Sequence, residues 1–302
     1  MESMNQQITI NGVGIHSGKP SRILIRPHEH GVLFNVEGTP IPALIQHVKD
    51  TQRATTISVG DRSLRTIEHL CSAIYGLNLS GAEITVTGGE IPILDGSAMP
   101  FIEALADTLT TESQNEALTI DRTITHRNPD NGAFIRIEPS QNFHVTYTQR
   151  FQKRAIDTFS FFSSPKNYIK EIASARTFAY AGELQLLYRK GFIRGLDPNA
   201  GFIILDSEPN WDLMEEIIGE DARSAVHETP FYKILSKIPP RYPNEATRHK
   251  VLDILGDFSL LGMPIKGLIT ADGTGHAENI ALVQKIAETY GLIHFDPLGD
   301  DE

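Results

Sequence analysis

Cys71 is the only cysteine in the 302-residue chain. A single thiol excludes an internal disulfide and a multi-cysteine metal site, and it suits a reducing compartment. Positive charge is also scarce: 27 Lys and Arg stand against 38 Asp and Glu, a formal net charge of −11. Nucleic acid is therefore disfavoured as a partner, because phosphate-backbone binding concentrates Lys and Arg on one face. A local basic pocket is still compatible with the total. No apolar run approaches the ~18 residues that read as a membrane span. The segment from Met1 to Gly12 is polar and then strand-like, without the cationic and apolar regions of a secretory signal. Short repeats and low-complexity tracts are absent too. The expectation is a cytoplasmic protein whose only membrane contact would be transient and at the surface.

The length corresponds to two domains at roughly 150 residues each, and the pattern along the chain divides in the same way. Residues 7–10 and the alternating Ser21-Arg22-Ile23-Leu24-Ile25-Arg26 read as strands. The first clear helix starts near Thr66, taken as its N-cap, and stops at Gly76. A strand over 82–87, a turn at Gly88-Gly89 and a helix near 99–110 follow, and the polar stretch 110–116 reads as a linker. A second strand-rich start, 134–137 and 143–147, leads to two long helical patterns over 244–261 and 276–290. The predicted class is α+β: two domains, residues 1–115 and 116–302, each layering helices on a sheet.

The strongest chemical signal is Arg248-His249-Lys250-Val251-Leu252-Asp253-Ile254-Leu255-Gly256-Asp257. On a helix, His249 and Asp253 point the same way and can grip one ion, with Asp257 a further turn along. Val251, Leu252, Ile254, Leu255 and Phe258 cover the other faces, so this polar stripe costs free energy unless it is paired or metal-bound. A plain helix-surface ion pair is the competing reading. Glu68-His69, in the first turn of its helix, has the composition of a general base beside a metal-ligating His, although most such dipeptides are surface pairs. Gly273-Thr274-Gly275-His276-Ala277 delivers a His to a helix start. There it could donate to an oxyanion or protonate a leaving amine, or merely sit in a capping loop. Ala175-Arg176-Thr177-Phe178 offers a hydroxyl for a substrate carbonyl. Two His and one Asp around a metal with one open position, plus a Glu base and a His acid, describe a metal-assisted amide or ester hydrolase.

In this order, these segments resemble the UDP-3-O-acyl-N-acetylglucosamine deacetylase family nearly end to end. The likeness also takes in Gly12-Val13-Gly14-Ile15-His16-Ser17-Gly18 and Ile91-Pro92-Ile93-Leu94-Asp95-Gly96-Ser97. The resemblance implies two domains with the site between them, Glu68 and His69 coming from the first and His249, Asp253 and His276 from the second. It implies zinc on His69, His249 and Asp253. Glu68 would be the base for the attacking water, and His276 the cation that stabilises charge and protonates the amine. Asp257 would tune His276, Thr177 would donate to the oxyanion and Lys250 would contact substrate. The implied reaction removes acetate from the N-acetyl group of an acylated UDP-sugar, the committed step of lipid A synthesis in a Gram-negative bacterium, carried out by a monomer. Phe162 is the best match to an aromatic that stacks on uracil, with Phe161 close behind. Phe178 and Phe192 are further substrate candidates. An insert near 178–205, with Leu184, Leu186, Leu187, Phe192 and Ile193, would hold the acyl chain.

Two departures from the family pattern stand out. The insert reads Arg194-Gly195-Leu196-Asp197-Pro198-Asn199-Ala200 where the family carries a glycine-rich run, which bears on acyl length. Gly273, next to Asp272, occupies a position where the family tends to carry a cation, which bears on UDP binding. These departures motivate one alternative, a zinc amidase acting on another acylated amino sugar. A second alternative, of a different class, is a non-catalytic nucleotide-sugar sensor.

Overall fold

The computed structural model describes residues 7–28, 31–105, 116–151, 155–197 and 199–293. The expected linker up to residue 115 and the end of the helix before it, together with Pro198, lie outside the described residues.

In the first part of the chain come strands β1 (Ile8–Val13), β2 (Pro20–Pro27), β3 (Gly31–Val36) and β4 (Thr39–Pro42). A small antiparallel sheet follows, of β5 (Val48–Asp50), β6 (Thr56–Val59) and β7 (Arg62–Arg65). Then come helix α1 (Glu68–Gly76), β8 (Gly81–Thr87) and α2 (Met99–Leu105). β8 completes the first sheet in the order β1-β2-β8-β3-β4. Its antiparallel register against β2 aligns Ile23 with Val86 and Ile25 with Ile84. These residues alternate inward with the strand period and are buried in one cluster with Phe34 and with Leu70 and Ile74 of α1.

The second part opens with β9 (Leu118–Thr119), β10 (Ile124–Arg127), β11 (Phe134–Glu138), β12 (Phe143–Phe151), β13 (Ala155–Phe162) and α3 (Pro165–Glu171). An inserted unit follows: β14 (Phe178–Tyr180), α4 (Ala181–Arg189), β15 (Phe202–Ile204), α5 (Trp211–Ile218), β16 (Val226–Glu228) and β17 (Lys233–Leu235). The chain then runs through α6 (Glu245–Phe258), β18 (Ile265–Asp272) and α7 (His276–Tyr290). β18 enters the middle of the sheet, giving the order β10-β11-β18-β12-β13, with β9 also paired to it. The insert has its own sheet, β14-β15-β17-β16, and its own core around Leu184, Met214 and Leu235. Its sheet continues past the expected residue 205 to Leu235, because β15 pairs with β17. These layered helices and sheets are the α+β class expected from the sequence. No helix among the described residues is long and apolar enough to cross a membrane.

The main core is shared. Leu70, Cys71, Ala73 and Ile74 of α1 and Val251, Leu252, Leu255 and Phe258 of α6 belong to one buried cluster. The helices cross at Gly256, where an added Cβ would stand 2.3 Å from the Glu68 carbonyl oxygen. Only glycine allows so close an approach, and it brings Glu68 and His69 against the helix that bears His249 and Asp253.

The start of α1 differs from the sequence expectation. Its N-cap is Ile67, with no side-chain cap. Thr66 adopts φ 61° instead, a left-handed conformation that is costly for a β-branched residue. The Thr66 hydroxyl donates to Glu90 Oε1 at 3.1 Å rather than to the helix. Glu90 also accepts the backbone N–H groups of His16 and Ser17, each at 2.9 Å. Its buried carboxylate thus joins the two loops.

Candidate active site

His69, His249 and Asp253 are all buried, and each offers a ligand atom within 4.8 Å of the others. α6 presents His249 and Asp253 one turn apart, as their spacing predicts, and α1 brings His69 in from the other part of the chain. His249 Nδ1–H donates to the Ala175 carbonyl at 3.0 Å. That bond fixes the tautomer and leaves Nε2 free as a ligand. His69 Nδ1 and Asp253 Oδ1 are buried without a hydrogen-bond partner, a costly condition that coordination relieves.

Protonation follows the same logic. Burial, and then the neighbouring His249, hold the His69 pKa down to about 3, and burial also lowers that of His249. Both imidazoles are therefore neutral, the form that binds metals. Burial alone would raise Asp253. The Lys250 ammonium, and then the His276 imidazolium, instead hold it well below the usual carboxylate range. Lys250 Nζ donates to Asp253 Oδ2 at 2.9 Å and lies 5.3 Å from the centre of the Phe178 ring. The donor set fits a divalent transition metal: two nitrogens and one carboxylate, with room for a fourth ligand.

Two further titratable groups face each other beside this triad. Glu68 is 3% exposed and His276 is 9% exposed, and His276 Nε2 lies 3.7 Å from Glu68 Oε1. Burial pushes Glu68 up to about 7, against the opposing pull of His276. Burial would lower His276, but Asp257, then Asp253 and Glu68, outweigh it and raise the imidazole to about 10. His276 Nδ1–H donates to Asp257 Oδ2 at 2.9 Å. The loop before α7 is pinned as well: Tyr147 Oη–H donates to the Thr274 carbonyl at 2.6 Å, and Gly273 N–H to the Thr148 carbonyl at 3.0 Å. A carboxylate and an imidazolium held in opposite charge states are an acid–base pair.

One cavity is lined both by Glu68, His69 and Thr177 and by apolar side chains, among them Phe178, Leu187, Phe192 and Ile193. Leu184 is instead fully buried in the insert core, and Leu186 is 55% exposed. Phe162 does not join the lining. It is 57% exposed, packs on His144, and pairs at the end of β13 level with Leu268, whereas His276 follows the other end of β18. Phe161 points to the opposite face and is core. Phe151, the last residue of β12, lies toward the His276 end, with its ring 4.5 Å from Tyr232 in the cluster against which Phe178 packs. A β-strand alternates its faces, and the sequence alone does not tell which end of the strand reaches the site.

A sequence model of the UDP-3-O-acyl N-acetylglycosamine deacetylase family matches residues 1–212 and 214–288. The chain belongs to this family. It is 34% identical over 297 residues to the bifunctional enzyme LpxC/FabZ of Chlorobaculum tepidum, which covers 94% of this chain and 63% of that protein. The chain thus spans just under two-thirds of that relative. The UDP-3-O-acyl-N-acetylglucosamine deacetylase of Chlamydia felis is 33% identical over 297 residues, covering 95% of this chain and 96% of the relative. The enzyme of the same name from Anaeromyxobacter sp. is 32% identical over 294 residues, covering 93% and 86%. Family membership gives the residues gathered here a common setting, but several of them carry no signal in the sequence. Thr55, Glu90 and the Arg176–Glu245 pair take part through contacts between distant segments.

Proposed function

We propose that this protein hydrolyses the N-acetyl group of UDP-3-O-acyl-N-acetylglucosamine to acetate and the free amine, a step of lipid A synthesis, and that zinc is its cofactor. The observation that carries this reading is the pairing of Glu68 and His276 beside the His69, His249 and Asp253 triad, with Glu68 and His69 opening onto a cavity that also has a run of apolar side chains from Phe178 to Phe202. A nucleotide sugar bearing an acyl chain has both a polar reacting centre and an apolar tail to bury, and such a cavity suits both.

His69, His249 and Asp253 would hold the zinc, which when bound supplies a Lewis acid beside the acetamide carbonyl and the attacking water. Glu68 takes a proton from that water as its oxygen bonds to the carbonyl carbon. Thr177 donates to the carbonyl oxygen as charge develops there. His276, held protonated by Asp257, faces Glu68 and gives its proton to the nitrogen as the C–N bond breaks. Acetate and the amine result, and the proton taken by Glu68 restores His276. Lys250 orients Asp253 through its second oxygen and keeps one face toward Phe178.

Acetate release from UDP-3-O-acyl-N-acetylglucosamine, measured before and after chelation and zinc re-addition, tests the reading. Zinc-restored release is the expected result. Release from simpler N-acetyl sugars but not from the acylated UDP-sugar would redirect the assignment to another amino sugar. Zinc binding without turnover of any amide would favour a sensor.

A further inference from the structure

Thr55 lies just before β6, between the short strands of the small sheet, and is fully buried. Nothing in its sequence context, Arg53-Ala54-Thr55-Thr56, marks it. Yet it holds two carboxylates from different parts of the chain. Its backbone N–H donates to Glu68 Oε2 at 3.1 Å, and its hydroxyl donates to Asp257 Oδ1 at 2.6 Å. The same hydroxyl oxygen lies 3.2 Å from His276 Nδ1, and its carbonyl accepts the Ile67 N–H at 3.4 Å.

These bonds distribute the oxygens of both carboxylates. Asp257 gives Oδ1 to Thr55 and Oδ2 to His276 and to Asn279 Nδ2, the latter at 2.9 Å. Glu68 gives Oε2 to Thr55 and directs Oε1 toward His276. Water cannot replace the missing donor, because Asp257 is fully buried and Glu68 nearly so. Without the hydroxyl, Asp257 would turn about its side-chain torsions and carry the imidazole with it.

We propose that Thr55 is a positioning residue that couples the Glu68 carboxylate to the Asp257–His276 pair and sets the geometry between base and acid. The proposal rests on the deacetylase reading, and its test separates the two. Thr55→Val keeps the shape and the N–H to Glu68 but removes the hydroxyl; Thr55→Ser restores it. With zinc-loaded protein, kcat for acetate release falls about tenfold to a hundredfold in Thr55→Val, with KM little changed. Thr55→Ser stays within a few-fold of the parent, on the order of a lost methyl contact. Equal losses in both variants would mean that the effect does not follow the hydroxyl, and a parental kcat in Thr55→Val would mean that the hydroxyl does nothing. Either outcome overturns the proposal.

A second readout needs no turnover. The imidazole Nδ1–H proton resonance of His276, assigned by its absence in His276→Gln, shifts in Thr55→Val and returns in Thr55→Ser. An unmoved resonance overturns the proposal. Absence of acetate release from the unaltered protein, with the resonance responding as stated, would defeat the deacetylase reading while the positioning role stands.

Discussion

The Nε2 of His276 lies 3.7 Å from Oε1 of Glu68 inside a buried site. That distance exceeds a hydrogen bond, so the two groups act on each other chiefly through charge. Each favours the ionised form of the other, while burial opposes both. Asp257 decides the balance for His276, because it is fully buried and directly bonded to the ring.

The pH dependence follows from this pair. On the proposed mechanism Glu68 has to be ionised, so activity rises as pH passes its value, about 7. On the same mechanism His276 has to be protonated, so activity falls as pH rises through its value, about 10. A divalent cation on the triad disfavours the protonated form of both groups and moves both limbs to lower pH. A bell-shaped kcat/KM profile is expected, with Glu68→Gln losing about 10²-fold to 10⁴-fold at every pH. Near-parental activity in Glu68→Gln would remove it as the base.

Metal retention tests the triad. His249→Ala and Asp253→Ala should each lower zinc affinity by more than the ~10–100-fold typical of removing an outer partner. Equilibrium dialysis with metal analysis measures this without turnover. Full zinc content in both variants would defeat the assignment of His249 and Asp253 as ligands.

The sequence and the structure agree best where function and periodicity coincide. His249, Asp253 and Asp257 are legible because one helix spaces them on one face, and α7 begins at His276 itself. Thr66 misleads, because a Thr before a helix usually caps it; here a distant carboxylate, Glu90, captures the hydroxyl and the backbone turns left-handed. Phe162 is less legible for a different reason: an aromatic in a strand can sit at either end of the sheet, and periodicity does not say which. Thr55 is silent altogether, since its partners lie far along the chain in Glu68 and Asp257. The pairing of β15 with β17, which joins residues past 205 to the same small sheet, is another non-local fact.

Gly256 sets how closely α1 and α6 approach. In Gly256→Ala the new Cβ would meet the Glu68 carbonyl oxygen at 2.3 Å and the Glu68 Cα at 3.0 Å. Both are backbone atoms, so the helices have to separate. The cost should be about 1–3 kcal/mol of stability, seen as a lower denaturant midpoint. Because Glu68 moves with its backbone, kcat should fall in the protein that remains folded. A variant with unchanged stability and kcat would show that the crossing yields without consequence.

Arg176 and Glu245 form a fully buried ion pair, with Arg176 Nε 2.8 Å from Glu245 Oε1. Glu245 also accepts the backbone N–H of Arg176 at 3.0 Å and that of Arg241 at 2.8 Å. The pair therefore fixes the backbone beside Ala175, whose carbonyl holds His249 in its ligand tautomer. Arg176→Met leaves Glu245 buried without its cation, and such a loss typically costs about 3–5 kcal/mol. Replacing Glu245 by Leu in the same chain removes the stranded charge, so the double variant should recover part of the stability. It should not recover zinc affinity, because the loop carrying Ala175 has lost its anchor and His249 its oriented acceptor. Thermal unfolding and zinc titration on the single and double variants separate these effects. If stability and zinc affinity recover together in the double variant, the pair serves the fold alone. If stability returns and affinity does not, the ion pair is what carries the position of His249 from the insert boundary to the metal site.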